Sequence, residues 1–425
     1  MLRSLSIQNY KSLHDVRLEL PQFFALVGAN AAGKTNFADA IEFLAIVAKS
    51  GLASAVSEKG GYENICFRRE RRSKGAIKFG AVIDIDIPIL VRSSHETTAR
   101  VEWSWSFRAS REAIRSPYEV ETESIALFEE RDENKSQSKP AFSLNRTGDK
   151  VNVRTKDAKA RPWSYFEKLL VSQKSLIRPE ELVLWNHLRG YPLFELFLDH
   201  ISRFRIFQIA PLAARKAGAA SGNQELGKAG DNLPGTLEWL SREAPAGRKE
   251  LLEYLRLAVP TIENVITDYV ETRELGLFVK EAGMRRRMFA SELSDGTLRT
   301  LAMFLPLVDP RYPLVVIEEP ENSIHPWVVR SFVDACRARS AEKQIILTTH
   351  SPVLVSRLDP SELYVAERKD AETTIRSVRD VSPEVDQIIR KGIQDLGSYW
   401  DSGAMRAVPS EPQFEFMEDG KNDKA

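Results

Sequence analysis

Gly28-Ala-Asn30-Ala31-Ala-Gly33-Lys34-Thr35 fits the spacing G-x-x-x-x-G-K-[ST]. Small residues there let successive backbone N–H groups curl around phosphates at the positive end of a following helix. Lys34 then reaches the outer phosphates, and the Thr35 hydroxyl is placed to ligate Mg²⁺. Far along the chain, the apolar run Leu314-Val-Val-Ile317 ends in two carboxylates, Glu318 and Glu319. Neighbouring side chains on an extended segment point in opposite directions, so the two acids are predicted to divide the work: Glu318 at the metal, Glu319 polarising an attacking water. Leu347-Thr-Thr-His350-Ser351 delivers a histidine at the end of another apolar run, an imidazole suited to a phosphate whose charge changes. Ser294-Asp295-Gly296 opens a helical pattern (Leu298, Leu301, Ala302, Leu305) and, taken alone, reads equally well as an ordinary N-cap.

The elements that must carry these residues follow from periodicity. Residues 3–9 alternate and Phe23–Val27 is a short apolar run, which predicts two strands. Phe37, Ala40, Ile41, Leu44 and Val47 predict a helix over 34–49. Between about 76 and 155 the period drops to two (Ile77 to Ile87, Val101 to Phe107, then Phe142-Leu144 and Val151-Val153 around Gly148-Asp149), an antiparallel β section. Helical spacing returns over 162–200, with Tyr165, Leu169, Leu170, Leu193, Leu196, Phe197 and then Ile201. Ala213 to Gly235 breaks every period and is expected to be a mobile loop. Strands at 313–317, 344–348, 362–367 and 373–378, with a helix over 326–339, predict a final α/β section, and the last residues are polar and are expected to fray.

Composition removes several classes. The 425 residues carry 60 Lys+Arg against 60 Asp+Glu, so any nucleic-acid contact must be local. Arg68-Arg69, Arg71-Arg72, Arg215-Lys216 and Arg285-Arg286-Arg287 are the places for it, although such runs are commonly solvated faces. Two cysteines far apart, without CxxC, exclude a disulfide scaffold or a structural zinc site. The N-terminal residues lack a signal-peptide core, and no run of about 18 apolar residues stands out. A cytoplasmic protein without membrane partners is expected.

Together, Leu5-Ser-Ile-Gln-Asn9-Tyr10-Lys11-Ser12-Leu13, the 28–36 loop, Ser294-Asp-Gly296, Ile317-Glu-Glu-Pro-Glu-Asn322 and Thr349-His350-Ser351 resemble the RecF/OLD/SMC branch of ABC-type ATPases. Within that branch the chain is similar to AAA-type ATPases of prokaryotic genome maintenance and phage defence, Septu- and OLD-like systems included. The resemblance implies an α/β P-loop NTPase fold, an ABC-type ATPase head with an inserted antiparallel β plus helical lobe. Residues 1–75 and 261–400 would form the head, 76–260 the inserted lobe, and 401–425 a flexible tail. It implies a homodimer or higher homo-oligomer that sandwiches ATP. Gly28, Asn30, Ala31, Gly33, Lys34, Thr35 and Asn36 would hold the nucleotide, with Ser294 and Gly296 of a second copy on the γ-phosphate. Thr35 and Glu318 would organise Mg²⁺, while Glu319, His350 and Lys34 would do the catalytic work. Glu318 stands where most of these proteins have Asp, and no Q-loop residue is identifiable.

Ser294 follows Lys34 by 260 positions without a sustained heptad run, against long coiled-coil arms and against a compact transporter ATPase. The 75 residues after His350 contain no Asp-x-Asp, so an OLD-type TOPRIM nuclease is not expected; a separate effector, such as a nuclease, would cut. A nucleotide-gated scaffold with little turnover, or a transporter subunit, are the alternative functions.

Overall fold

The computed structural model describes residues 1–68, 75–87, 98–110, 118–128, 139–155, 177–218, 224–270 and 274–405. In chain order the strands are β1 (Leu2–Tyr10), β2 (Leu13–Glu19), β3 (Phe23–Val27), β4 (Ile77–Asp86), β5 (Thr98–Ala109), β6 (Tyr118–Phe128), β7 (Phe142–Thr147) and β8 (Lys150–Thr155). They continue with β9 (Arg205–Phe207), β10 (Ile262–Tyr269), β11 (Leu275–Glu281), β12 (Met288–Phe289), β13 (Leu314–Glu318), β14 (Gln344–Thr349), β15 (Leu363–Lys369) and β16 (Glu372–Ser377). All but β10 to β12 join one sheet, in the order β8, β7, β6, β5, β4, β1, β2, β16, β15, β3, β14, β13, β9.

β15, β3, β14, β13 and β9 run parallel, and every residue of β3, β13 and β14 is buried, as expected of strands covered on both faces. Alternation sorts their side chains into two cores. Phe24, Leu26, Val316 and Ile346 pack with the helix Lys34–Glu58, whereas Phe23, Ala25, Val27, Val315 and Ile317 pack with the helices Asp295–Val308 and Pro326–Arg339.

The strands expected in an inserted lobe join the same sheet: β4 pairs antiparallel with β1, so β4 to β8 lengthen the sheet that holds β1 and β2, and β9 pairs in parallel with β13. Over these strands lies the helix Pro192–Ser202, which packs on the helix Lys34–Glu58 within one core. The latter helix runs past the predicted end at 49, bending at Gly51 (φ 85°), where Trp185 lies so close that a Cβ would come within 3.2 Å of its ring. By length and composition this helix could cross a membrane, against the expectation that no such segment exists, but Phe37, Ile41, Leu44 and Val47 are buried inside the protein.

The stretch read as a loop over 213–235 is pinned where it is described. Gln208 and Ala210 donate from their backbones to the carbonyls of Lys228 and Ala229, Leu226 is buried, and Leu233 already begins a helix. Tyr165, Leu169 and Leu170 of the predicted helical insert, Arg69, Arg71 and Arg72, and most of the 401–425 tail lie outside the described residues.

His200, on the helix Pro192–Ser202, packs edge-on to Phe204, and burial pushes its imidazole down to about 3. The unfolded chain takes up this proton near the ordinary 6.5, so stability falls as pH drops from 6.5 toward 3. His200→Gln is expected to flatten that acid limb, read as urea-unfolding midpoints at several pH values; an unchanged limb would assign it to other groups.

Candidate nucleotide-binding site

The 28–35 loop joins β3 to the helix Lys34–Glu58 and is braced from two sides. β15 runs beside β3, with Val365 opposite Val27, so tightly that a Cβ on Gly28 would lie 2.5 Å from the Ala366 carbonyl oxygen. Gly33 has φ +102°, and a Cβ there would lie 2.2 Å from Thr373 Oγ1. That hydroxyl donates to the Ala32 carbonyl (2.9 Å) and meets Ser12 Oγ (2.7 Å), which also accepts from Asn36 Nδ2 (2.6 Å). The β1–β2 turn and the β15–β16 hairpin therefore clamp the loop. Asn30 and Ala31 lie on its outer bend; Ala31 is in the left-handed region (φ 63°), and its carbonyl accepts from Arg368 Nη1.

Lys34 is 6% exposed, and its ammonium donates to the carbonyls of Gly28 (2.7 Å) and Ala29 (3.1 Å). Burial pulls its pKa down against the opposing fields of Glu319, Glu321 and Glu318, which places all three carboxylates around it. Glu318 is 3% exposed; burial raises its carboxyl, and the Thr35 hydroxyl hydrogen-bonds to it. A hydroxyl and a carboxylate at the foot of a phosphate loop are hard oxygen donors, and this pair fits Mg²⁺.

Glu319 leaves the strand by an abrupt turn. Its φ is +46°, while its N–H still donates to the Thr348 carbonyl (2.8 Å). The two acids thus diverge through a left-handed residue rather than by pleat alternation alone, a strained conformation of the kind that collects at working sites. Glu319 Oε2 accepts from Asn322 Nδ2 (2.7 Å), its carbonyl accepts from Arg299 Nη2 (2.9 Å), and Oε1 is 3.6 Å from His350 Nδ1.

Sequence reading missed Glu321. Its Oε1 accepts from the Thr349 hydroxyl (2.6 Å) and the His350 backbone N–H (3.2 Å), fixing the histidine, while Oε2 is buried without a partner among the described residues. It also missed β9, whose Phe207 stands opposite Ile317, the residue before Glu318. A strand of three residues has too little pattern to announce itself. His325 serves as the N-cap of its helix, accepting from the Trp327 N–H.

Ser294 and Gly296 stand at the start of the helix Asp295–Val308, against the segment that follows Glu319. Ser294 caps the helix Asp295–Val308 by accepting from the Thr297 N–H (3.1 Å), and a Cβ on Gly296 would lie 3.2 Å from the Ser323 carbonyl oxygen. Among the described residues no hydrogen bond joins either one to the 28–36 loop. Ser294 is exposed, and Gly296 is partly so.

Residues 23–356 match the sequence family AAA_21, described as "AAA domain, putative AbiEii toxin, Type IV TA system". The chain belongs to the AAA_21 family. Its fold is that of the SMC ATPase head: the structure of the Smc head bound to the C-winged helix domain of ScpA superposes with TM-score 0.52 at 14% identity, covering 88% of this chain and 97% of that one. The SMC head domain from Thermotoga maritima (TM-score 0.41, 12% identity, 88% and 98% covered) and a Pyrococcus furiosus Smc head with an extended coiled coil (0.45, 14%, 91% and 99%) are also similar. No curated protein matches by sequence. This AAA_21 protein therefore combines an AAA domain with the fold of the SMC ATPase head.

Proposed function

We propose that this chain hydrolyses ATP as a head-to-head dimer and uses that cycle to gate a separate effector, in phage defence or DNA maintenance. One observation carries the reading. Lys34, Thr35, Glu318, Glu319 and His350 gather past the carboxyl ends of β3, β13 and β14, while Ser294 and Gly296, at the start of the helix Asp295–Val308, make no hydrogen bond to the 28–36 loop among the described residues and keep solvent-accessible surface. An accessible helix N-terminus that does not serve its own chain's phosphate loop suits the nucleotide of a second copy.

In this reading the 28–35 amides and Lys34 bind the phosphates, and Thr35 and Glu318 hold Mg²⁺. Bound Mg²⁺ neutralises charge on the phosphates. Glu319, oriented by Asn322, accepts a hydrogen bond from the attacking water, and His350, held by Glu321, faces the departing γ-phosphate. The free, buried Cys66 and Cys336 suit a reducing cytoplasm. The Smc head is bound to the C-winged helix domain of ScpA, which favours a protein partner in trans. Direct DNA contact is weakened as a reading, because Arg68 pairs with Glu63, Arg286 with Glu292 and Arg287 with Asp268.

Specific activity is expected to rise with protein concentration. Ser294→Arg is expected to lower turnover at least ~100-fold while ATP binding to the monomer changes less than about twofold. Rates proportional to concentration, or an active Ser294→Arg, would overturn the divided site.

A further inference from the structure

Arg215 ends the short helix Pro211–Ala214, seven residues after Gln208. Its guanidinium gathers a single stretch of chain. Nη1 donates to the carbonyls of Ala290 (3.1 Å) and Ser291 (2.9 Å), and Nη2 donates to the Leu293 carbonyl (2.9 Å) and Asp295 Oδ1 (2.5 Å). These groups bracket the turn that brings Ser294 to its capping position. The base of the arginine is itself fixed: Ala214 is fully buried, and Gly218 exchanges two backbone hydrogen bonds with Leu275 of β11 (2.8 and 2.9 Å). A planar fork with five donors suits such convergent carbonyls, which a lysine could not satisfy together. The sequence offered Arg215 as one of several basic residues for a phosphate backbone; the structure commits it here, with its side chain only 24% exposed.

Asp295 gives this contact a second consequence. It is the first residue of the helix, beside Ser294, and its side chain is 60% exposed. A helix N-terminus attracts anions, but a free carboxylate on its first turn would repel an incoming phosphate. The ion pair with Arg215 cancels that charge.

We propose that Arg215 is a positioning residue for the divided site: it shapes the 290–295 turn and neutralises Asp295, so that Ser294 and Gly296 receive the γ-phosphate of ATP held by a second copy. The inference rests on the dimeric reading above and adds the residue that prepares its outward-facing half.

Mixing experiments test it. Arg215→Ala is expected to lower turnover about 10- to 100-fold with ATP affinity of the monomer within about twofold of wild type. Arg215→Lys, which keeps the charge without the fork, is expected to fall between the two and serves if Arg215→Ala fails to fold. Lys34→Ala destroys the opposite half-site. In an equal mixture of Arg215→Ala and Lys34→Ala, half of the dimers are mixed, and each of these has one site built from two sound halves. About a quarter of wild-type activity should return, if sites act independently. Ser294→Arg mixed with Lys34→Ala is the control. Recovery in both mixtures supports the inference. Recovery in the control alone means that Arg215 serves the P-loop of its own chain, which overturns the inference and leaves the dimer standing. Recovery in neither overturns the divided site and the inference with it. Adding Asp295→Asn to Arg215→Ala is expected to regain at least about threefold; no gain would remove the charge-neutralising part.

Discussion

Glu319→Gln is expected to slow single-turnover ATP hydrolysis about a thousandfold, within the range lost when a positioned base is removed. The substitution keeps the side chain's size, and a glutamine oxygen still accepts from Asn322 Nδ2, so the turn at φ +46° has no reason to change. What disappears is the basic oxygen 3.6 Å from His350 Nδ1, the one placed to draw a proton from water. ATP still binds, because Lys34, Thr35 and Glu318 are untouched, and the complex stalls before hydrolysis. Light scattering is therefore expected to find an ATP-dependent species of twice the monomer mass in the variant, while wild type passes through it transiently. A variant that turns over at the wild-type rate would remove Glu319 from the chemistry and favour a scaffold that uses ATP only as a clasp.

Gly33→Ala tests the loop rather than the water. The added methyl would sit 2.2 Å from Thr373 Oγ1 and 2.7 Å from Thr373 Cγ2, on a backbone at φ +102°. The backbone alone costs about 1–3 kcal/mol in a conformation that L-residues avoid. Thr373 cannot simply rotate away, because its hydroxyl is tied to Ala32 and Ser12 and its N–H donates to the Ser12 carbonyl (2.7 Å). Nucleotide affinity is expected to fall at least ~100-fold, with a melting temperature lower by about 1–3 °C. Combining Gly33→Ala with Thr373→Gly relieves the collision but not the backbone, so affinity should return in part. Unimpaired binding by Gly33→Ala would show that the loop needs neither the left-handed residue nor its brace.

The parallel centre of this fold was legible because strands buried on both faces are plain apolar runs, and β3, β13 and β14 are such runs. Glu318, Glu319 and His350 could be placed for the same reason, at or just past the end of such a run, whereas Lys34 and Thr35 open the helix after β3 and were placed by the glycine spacing of the loop between. The helix over 326–339 also matches in extent, and β7–β8 turn at Gly148-Asp149 as spacing required. β6 was hidden by physics that breaks alternation. A register shift opposite Ser106/Phe107 changes which parity faces inward, from Tyr118 and Val120 to Glu123, Ile125 and Leu127. The inward Glu123 looks like a surface residue until its partners are known: the Trp103 indole N–H and the backbone N–H groups of Val183 and Leu184. β10 carries a similar irregularity between Ile262 and Asn264. Glu321, Arg299 and Arg215 were illegible in another way. Their roles are set by partners 20 or more positions away, and no local pattern encodes such a meeting.

The pairing of β2 with β16 has a mechanical meaning. From β8 to β2 the sheet is laced by long antiparallel ladders, and from β15 to β9 by parallel ones. Between these two stiff plates, Thr373 opposite Leu13 is the sole aligned pair among the described residues. That pair lies beside Gly33, and the same Thr373 side chain meets Ser12 and the Ala32 carbonyl, so the phosphate loop is braced at the place where the two halves of the sheet share a single aligned pair of residues.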